Sequence, residues 1–340
     1  MRKLLNTLYV TTPEAYLSKD GLNVVVSVKQ EELFRIPIIN IEHIITFGYM
    51  GASPGLMKLC AENGVALTFL SPTGRFIGRL QGPTKGNVLL RKRQYELSTQ
   101  EDFSLRMSRL FIAGKIKNYR SILMRYLRDY GEDKDVIIIT RLLEDRKNQV
   151  LKSIDFNQLR GLEGDAANAY FSVFSHLILH QKQYFRFTGR NRRPPKDAVN
   201  AMLSFVYTLI ANDTAAALES VGLDPYVGFL HTLRPGRFSL ALDIMEEMRA
   251  YLGDRLVFSL INRGQIQPND FIAQGEEGIT MTEKGRKVLL TAWQSRKQEL
   301  IVHPYLNEKI PIGLIPFVQS QLLTRMLRGD IDDYPVFIMK

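Results

Sequence analysis

The chain has 340 residues and is basic, since 45 Lys and Arg residues against 35 Asp and Glu residues leave a formal net charge of +10. Hydrophobic residues make up 45% and charged residues 24%, as is usual in a globular protein with a substantial core. The net charge favours a polyanionic partner such as nucleic acid, although solubility alone also accounts for it.

The single cysteine, Cys60, excludes an internal disulfide and a cysteine-based zinc site. The first residues show no signal-peptide core, and no run approaches about 18 uninterrupted apolar residues. Together these features predict a cytoplasmic protein.

Short β-type runs with turn signals between them dominate the first ~95 residues. Strands are expected at 4–10, 15–17, 22–28, 34–37, 43–47, 65–70 and 76–80. Asp20-Gly21 predicts a hairpin because this pair adopts a positive φ at low cost. Ser53-Pro54 predicts the start of a short helix that ends at Asn63-Gly64.

Farther along the chain, apolar residues recur at helical spacing. Helical stripes are expected around 103–111 and 122–127, and helices at 159–181, 197–211, 239–262, 283–297 and 315–327. A small hairpin is expected at 271–282, and surface loops at 190–195 and 303–316. The fold class predicted is therefore α+β, with a small β-rich domain at 1–95 and a larger, mainly α-helical domain at 96–340.

A carboxylate, Glu163, lies in the middle of an apolar helical stripe with Ala166, Ala167 and Tyr170. Such a group is costly to bury unless it is paired or bound to a cation. Two explanations stay open at this point: an ion pair with Arg160 one turn earlier, or a bound metal ion.

A second acidic group, Asp243, Glu246 and Glu247, shares one face of a later predicted helix. Three clustered carboxylates repel each other unless cations compensate, and a divalent ion or Arg249 could do so. The alternative is an ordinary solvated acidic face.

Histidines offer two further candidates for a metal site. His231 lies between the acidic segments, and carboxylates with one imidazole suit Mg²⁺ or Mn²⁺ better than structural zinc. His176 and His180 have the i, i+4 spacing of zinc-binding helices, but no Glu follows His176. Both also face away from Glu163 around the predicted helix. We therefore expect His176 and His180 to be structural or surface residues, whereas His231 is either structural or a ligand.

Basic and aromatic residues alternate between 182 and 196. Their guanidinium and ammonium groups can bridge phosphates, which predicts contacts with the DNA backbone rather than with bases. A solvated loop is the alternative. The predicted DNA-binding residues are Arg190, Arg192, Arg193, Lys196, Arg234 and Arg237.

Several ordered motifs together resemble one family, the integrase-nuclease of CRISPR adaptation, which inserts new spacers into the repeat array. They are Arg160-x-x-Glu163-Gly-x-Ala-Ala, Arg190-x-Arg-Arg-Pro-Pro, Gly228-Phe-Leu-His231 and Arg234-Pro-Gly-Arg-x-Ser-Leu-Ala-Leu-Asp243-x-Met-Glu246-Glu. Residues 328–340 resemble the type I-C branch. One departure is Thr232-Leu-Arg after His231, where many relatives have an acidic residue.

The resemblance implies that Glu163, His231 and Glu246 bind Mg²⁺ or Mn²⁺, with Asp243 as a ligand or next to one and Arg249 in the catalytic group. It also implies an endonuclease and strand transferase acting on double-stranded and branched DNA, a homodimer formed through the N-terminal parts, and two such dimers assembled with a small ferredoxin-like partner protein.

Two other functions remain open from the residues. A non-catalytic DNA scaffold would use the acidic cluster only structurally. A metal-dependent phosphohydrolase of small molecules fits the basic loops poorly.

Overall fold

The computed structural model describes residues 6–12, 14–72, 76–80, 82, 88–192, 194–275 and 278–339. Strands dominate the N-terminal part of the described chain. They are β1 (Thr7–Val10), β2 (Tyr16–Asp20), β3 (Asn23–Val28), β4 (Glu31–Pro37), β5 (His43–Phe47), β6 (Ala66–Leu70) and β7 (Phe76–Leu80). Helix α1 (Pro54–Asn63) lies between β5 and β6.

These strands form two sheets. β2, β3 and β4 make an antiparallel sheet, while β1, β5, β6 and β7 make a mixed sheet in which only β7 is antiparallel to its neighbour. The predicted hairpin is confirmed, because Asp20 pairs with Asn23 and Gly21 has a φ of 57°. The predicted caps of α1 are also confirmed: the Ser53 side chain accepts a hydrogen bond from the Leu56 amide, and Gly64 is left-handed.

Helices make up most of the remaining described chain. They are α2 (Val88–Ser98), α3 (Glu101–Tyr130), α4 (Lys134–Leu151), α5 (Phe156–Ser172), α6 (Ala198–Ser220), α7 (Ser239–Arg249), α8 (Arg255–Asn262), α9 (Glu283–Gln298) and α10 (Ile315–Arg328). Two small hairpins join them: β8 (Phe271–Ala273) with β9 (Ile279–Met281), and β10 (Leu300–Val302) with β11 (Lys309–Pro311). The predicted α+β class is confirmed, whereas the domain division after residue 95 stays a prediction.

One continuous core joins the mixed sheet to the helices. Ile45, Phe47 and Leu70 of the sheet belong to the same buried cluster as α3, α5, α6 and α7. Phe47 stacks on Phe205 of α6 with ring centroids 5.7 Å apart. A smaller cluster lies between the two sheets and α1. The sheet is therefore anchored directly on the helix bundle.

Helix α6 lies at the centre of the bundle, where α7 and α10 pack against it. Its length and composition would allow it to cross a membrane, but 72% of its most apolar window is buried inside the protein. This burial is what a central core helix shows.

The structure corrects several predicted bounds. Helix α5 ends at Ser172 rather than 181, because the chain must turn there to place Phe174 between Phe187 and Phe258, at 4.7 Å and 4.4 Å. Helix α6 continues nine residues past the predicted end at 211 to Ser220. The sequence patterns did not single out α4.

Two further differences affect the later part of the chain. The predicted helix at 239–262 is interrupted by a π-helical turn, Ala250–Asp254, between α7 and α8. The predicted surface loop at 303–316 contains β11, and its His303 is fully buried with Nε2 3.1 Å from Gln319 Oε1. The prolines of this segment therefore predicted a surface loop where much of the chain is buried inside the fold.

Candidate metal centre

Three helices bring Glu163 and Glu246 to one point. Glu163 lies in the middle of α5, Glu246 in α7, and Lys115 on the buried face of α3. The Lys115 Nζ atom contacts Glu163 Oε1 and lies 2.9 Å from Glu246 Oε2. The two carboxylates are therefore separated by no more than two hydrogen-bond lengths.

This arrangement argues against one of the two explanations for Glu163, the ion pair with Arg160, while the bound metal ion stays a prediction. Among the described residues, Arg160 makes no ion pair with Glu163, and its guanidinium instead lies over the Phe156 ring at 5.6 Å. The cation beside Glu163 is Lys115. Burial would lower the pKa of Lys115, but the carboxylates of Glu246 and Glu163 raise it, so the ammonium remains charged.

Glu246 is 4% exposed and lies between two cations. Arg249 Nη2 is 2.8 Å from its Oε1 atom. Burial by itself would raise the pKa of Glu246, but the charges of Arg249, Lys115 and His231 outweigh it, and the pKa is lowered. The contact of Oε2 with Lys115 is an ion pair without hydrogen-bond alignment, so this buried oxygen keeps an unused acceptor.

His231 is oriented by Asp243. The imidazole Nδ1 lies 2.6 Å from Asp243 Oδ1, and the same carboxylate accepts backbone hydrogen bonds from Phe229, Leu230 and His231 at 2.6, 3.0 and 3.0 Å. Because Asp243 holds Nδ1, Nε2 is the ring nitrogen available to a ligand.

The Gly228-Phe-Leu-His231 motif has a steric reason. A Cβ atom on Gly228 would lie 2.5 Å from Asp243 Oδ2 and 2.8 Å from the Leu240 amide nitrogen. Only glycine lets this loop approach the start of α7 closely enough for Asp243 to bind three consecutive amides. With its oxygens saturated in this way, Asp243 positions the imidazole instead of offering a free ligand atom.

The structure thus brings Glu163 and Glu246 together through Lys115. The ligand atoms of Glu163, His231 and Glu246 are not, however, mutually within 4.8 Å. In the described part of the chain, the group of acidic and imidazole ligand atoms that meets this spacing is Asp133, Asp135 and His176. The ligand set Glu163, His231 and Glu246 stays a prediction.

The alternative of a solvated acidic face is wrong for Asp243, Glu246 and Glu247, because all three are buried. They lie on one helix but have different partners. Glu247 accepts hydrogen bonds from the Tyr334 hydroxyl, from Gln319 Nε2 at 3.1 Å and from the Phe337 amide at 2.5 Å. It anchors the C-terminal segment.

Lys115 is the functional candidate that sequence reasoning missed. It lies four residues after Phe111 and four residues before Tyr119, two of the largest fully buried side chains. A lysine in an apolar stripe is the counterpart of the signal that identified Glu163, and pairing the two signals could have found it.

The predicted DNA-binding residues differ in accessibility. Arg192, Lys196 and Arg234 are exposed, and Arg237 is half-buried. Arg193 lies outside the described residues. Arg190 points inward, where its guanidinium donates to Asn200 Oδ1 at 2.7 Å and to Ser204 Oγ at 3.1 Å, a placement that favours a structural role.

The rival histidine pair does not share a helix. α5 ends before His176, which lies in a 3₁₀ turn, and His180 follows in irregular chain. His176 Nδ1 is instead 2.7 Å from Asp133 Oδ2. A zinc site of the i, i+4 type is therefore excluded.

Comparison with known proteins agrees with this architecture. Residues 8–295 match the family described as CRISPR associated protein Cas1. The chain is 49% identical to CRISPR-associated endonuclease Cas1 1 of Chlorobaculum tepidum over 343 residues, covering 100% of both chains. A casposase bound to integration product has a TM-score of 0.84 at 22% identity, covering 97% of this chain and 92% of the other. A Cas6-RT-Cas1–Cas2 complex has a TM-score of 0.84 at 21% identity, covering 100% of this chain and 37% of that one.

A β-rich N-terminal part on a helix bundle is thus a fold that this chain shares with these solved structures. The chain belongs to the Cas1 family of CRISPR-associated proteins. The family predicted from the motifs is confirmed, and the type I-C branch stays a prediction.

Proposed function

We propose that this Cas1 family member is a divalent-metal-dependent DNA endonuclease and integrase, which joins the 3′ ends of spacer DNA to the CRISPR repeat array by transesterification. The observation that carries the proposal is the meeting of Glu163 and Glu246 around one buried cation, beside an oriented imidazole. The relative's name, an endonuclease, and the casposase caught with its integration product support this choice.

The residues fit a hard divalent ion. Glu163, Glu246 and His231 would hold it, giving the oxygen-rich donor set with one nitrogen that suits Mg²⁺ or, more readily, Mn²⁺. The unused acceptor of Glu246 Oε2 and the cation already present between the carboxylates both indicate a place for positive charge. When bound, such an ion supplies Lewis-acid activation of the scissile phosphate and of the attacking hydroxyl.

The protein's own groups prepare this site. Asp243 holds the imidazole of His231 by Nδ1, which leaves Nε2 as the ring nitrogen that would bind a ligand. Arg249 lies within 2.8 Å of Glu246, so its charge is close enough to stabilise added negative charge on phosphorus. Transesterification by a DNA 3′-hydroxyl needs no protein nucleophile.

Binding of DNA and partners completes the proposal. The exposed Arg192, Lys196 and Arg234, with Arg193, would contact phosphates of double-stranded and branched DNA. The protein would act as a homodimer formed through its N-terminal parts, with two such dimers joined by a small ferredoxin-like partner. The similarity to a Cas6-RT-Cas1–Cas2 complex supports the existence of such a partner. Its single, buried cysteine favours the reducing cytoplasm as its location.

The test is strand transfer into a supercoiled plasmid that carries a repeat, with Mg²⁺ or Mn²⁺. Glu163→Gln should reduce the rate at least about 100-fold while DNA binding is kept. Glu144→Gln is the matched control, because the Glu144 side chain is 35% exposed and lysine-paired, against 33% for Glu163. Strand transfer by Glu163→Gln at the wild-type rate would contradict the proposal. A wild-type protein that binds DNA but shows no strand transfer with either metal would instead be a non-catalytic scaffold.

A further inference from the structure

A buried carboxylate, Asp254, ends the π-helical turn that follows α7. Its Oδ1 accepts a hydrogen bond from the Tyr207 hydroxyl at 2.5 Å, and its Oδ2 accepts one from the Tyr170 hydroxyl at 3.0 Å. The tyrosines come from α6 and α5, so one carboxylate ties together three segments around the predicted metal centre.

Each tyrosine is connected by ring contacts to one of the two cations of that centre, Arg249 or Lys115. The Tyr207 ring lies under the Arg249 guanidinium at 4.7 Å, and Arg249 in turn pairs with Glu246. On the other side, the Tyr170 ring stacks on Tyr119 at 3.9 Å with the planes 8° apart.

Tyr119 is the last link between Tyr170 and Lys115, because its ring centroid is 5.8 Å from the Lys115 ammonium. That ammonium contacts the carboxylates of Glu163 and Glu246. The contacts therefore form a closed ring that starts and ends at Glu246. We define the Asp254 ring as Lys115, Tyr119, Tyr170, Asp254, Tyr207 and Arg249.

The aromatic contacts, more than hydrogen bonds, orient the Arg249 end of this ring. Arg249 Nε is buried without a hydrogen-bond partner among the described residues, and the carboxylate it pairs with there is Glu246. The Tyr207 ring is consequently a main contact of the guanidinium besides Glu246. The position of that ring depends on its hydroxyl bond to Asp254.

Local backbone features serve the same contact. A Cβ atom on Gly253 would lie 2.9 Å from the Tyr207 ring, so glycine is needed for the ring to approach. The π turn changes the helical phase between Glu246 and Asp254, and such turns often occur at functional sites.

We infer that Asp254 is a positioning residue of the metal centre, which acts through Tyr207 and Arg249 on Glu246 and through Tyr170 and Tyr119 on Lys115. The inference rests on the proposed function, since it assigns a role toward the metal ligands. Outer groups of this kind commonly set metal affinity without touching the ion.

Titration of the full-length, metal-free protein with Mn²⁺, followed by calorimetry, tests the inference. Tyr207→Phe keeps the ring but removes the hydroxyl, and Asp254→Asn removes one of two acceptors; each should raise the Mn²⁺ Kd about 10-fold or more. Tyr334→Phe is the matched control, because it also removes a buried hydroxyl from a buried carboxylate, Glu247. It should lower thermal stability but change the Kd less than about twofold. Equal Kd values in all variants and wild type would overturn the inference.

A second measurement needs no metal. Urea midpoints are compared for Asp254→Asn in the wild-type and Glu246→Gln backgrounds. If the ring positions Glu246, the midpoint shift caused by Asp254→Asn is smaller when Glu246 is already replaced; additive shifts would overturn the inference. Should the wild type bind no Mn²⁺, the proposed function fails, and this comparison alone decides whether Asp254 acts on Glu246.

Discussion

Glu246 and Glu247 are neighbours on α7 and both are buried, yet the two sides of the helix surround them with different groups. On one side, Glu246 meets the cations of Lys115 and Arg249, which lower its pKa against the effect of burial. On the other side, Glu247 meets neutral donors of Tyr334, Gln319 and Phe337, and burial raises its pKa to about 7.

The difference separates a structural carboxylate from one available to a ligand. Both oxygens of Glu247 accept hydrogen bonds from groups held by the fold. Glu246 Oε2 has no hydrogen-bond donor from the fold, and a charged group, the Lys115 ammonium, lies 2.9 Å from it. The same contrast distinguishes Arg190, whose donors are used inside the fold, from the exposed Arg192.

The largest expected effect is on catalysis. Glu246→Gln should reduce strand transfer by about 100- to 1,000-fold, because it removes a negative charge needed to hold the metal. Glu247→Gln should change the rate per folded molecule only a few-fold. Strand-transfer rates are measured on a labelled branched DNA at saturating Mn²⁺. An equal reduction of the rate in Glu246→Gln and Glu247→Gln would contradict the different roles given to the two carboxylates.

Removal of Lys115 should have the next largest effect. Lys115→Met leaves the buried Glu246 with Arg249 as its close cation and removes the ion pair of the half-buried Glu163, so the free energy of unfolding should fall by about 3 kcal/mol. Mn²⁺ should restore more stability to this variant than it adds to wild type, since the ion replaces the lost charge.

Lys147→Met is the control for this experiment, because Lys147 also pairs with a glutamate, Glu144, but nearer the surface. It should cost less than about 1 kcal/mol and show no extra response to Mn²⁺. Thermal unfolding with and without the ion gives both quantities. A Lys115→Met protein that Mn²⁺ stabilises no more than wild type would show that the ion does not take the place of the ammonium.

The pH dependence of stability should distinguish the carboxylates by sign. The pKa of Glu247 is raised from 4.5 to about 7, so the folded protein holds this proton more tightly than the unfolded chain. Its contribution is full below pH 4.5 and is lost as the pH rises through about 7. For Glu246, whose pKa is lowered, the contribution is present above 4.5 and is lost on acidification through the folded pKa.

The melting temperature should therefore fall by a few degrees more in wild type than in Glu247→Gln between pH 5 and pH 8. Parallel curves for the two proteins over this range would mean that Glu247 does not carry the raised pKa.

The smallest effects concern the basic loop. Arg192→Ala should leave the melting temperature unchanged and reduce the salt slope of DNA affinity by about one, as expected for one lost phosphate contact. Arg190→Ala should instead cost about 1–2 kcal/mol of stability, because Asn200 and Ser204 lose their donor. The salt slopes are measured by filter binding and the stabilities by thermal unfolding. A reduced salt slope in Arg190→Ala together with an unchanged slope in Arg192→Ala would contradict these assignments.

Local signals in the sequence predicted much of the fold. The hairpin at Asp20-Gly21 and the caps of α1 depend on residues next to each other, and both are confirmed. Strands β5 and β7 lie where short β-type runs predicted them. The end of α5 was not predictable in this way, because it depends on packing of Phe174 against Phe258, far along the chain.

The candidate site shows the same limit. Glu163 stood out because it interrupts an apolar stripe, and Glu246 because it shares a helical face with two other carboxylates. His231 stood out because it lies between the two acidic segments. Their meeting through Lys115 depends on how α3, α5 and α7 pack, and the orientation of Glu247 depends on a segment that follows it by almost 90 residues. The π turn follows no local rule that we can identify.

The most direct measurement is Mn²⁺ binding to the purified, metal-free chain, compared between Glu246→Gln and Glu247→Gln. We expect one ion per chain in wild type and in Glu247→Gln, and at least about a 10-fold weaker affinity in Glu246→Gln. Binding that is equally strong in all three proteins, or lost equally in both variants, would contradict the assignment of Glu246 as a metal ligand.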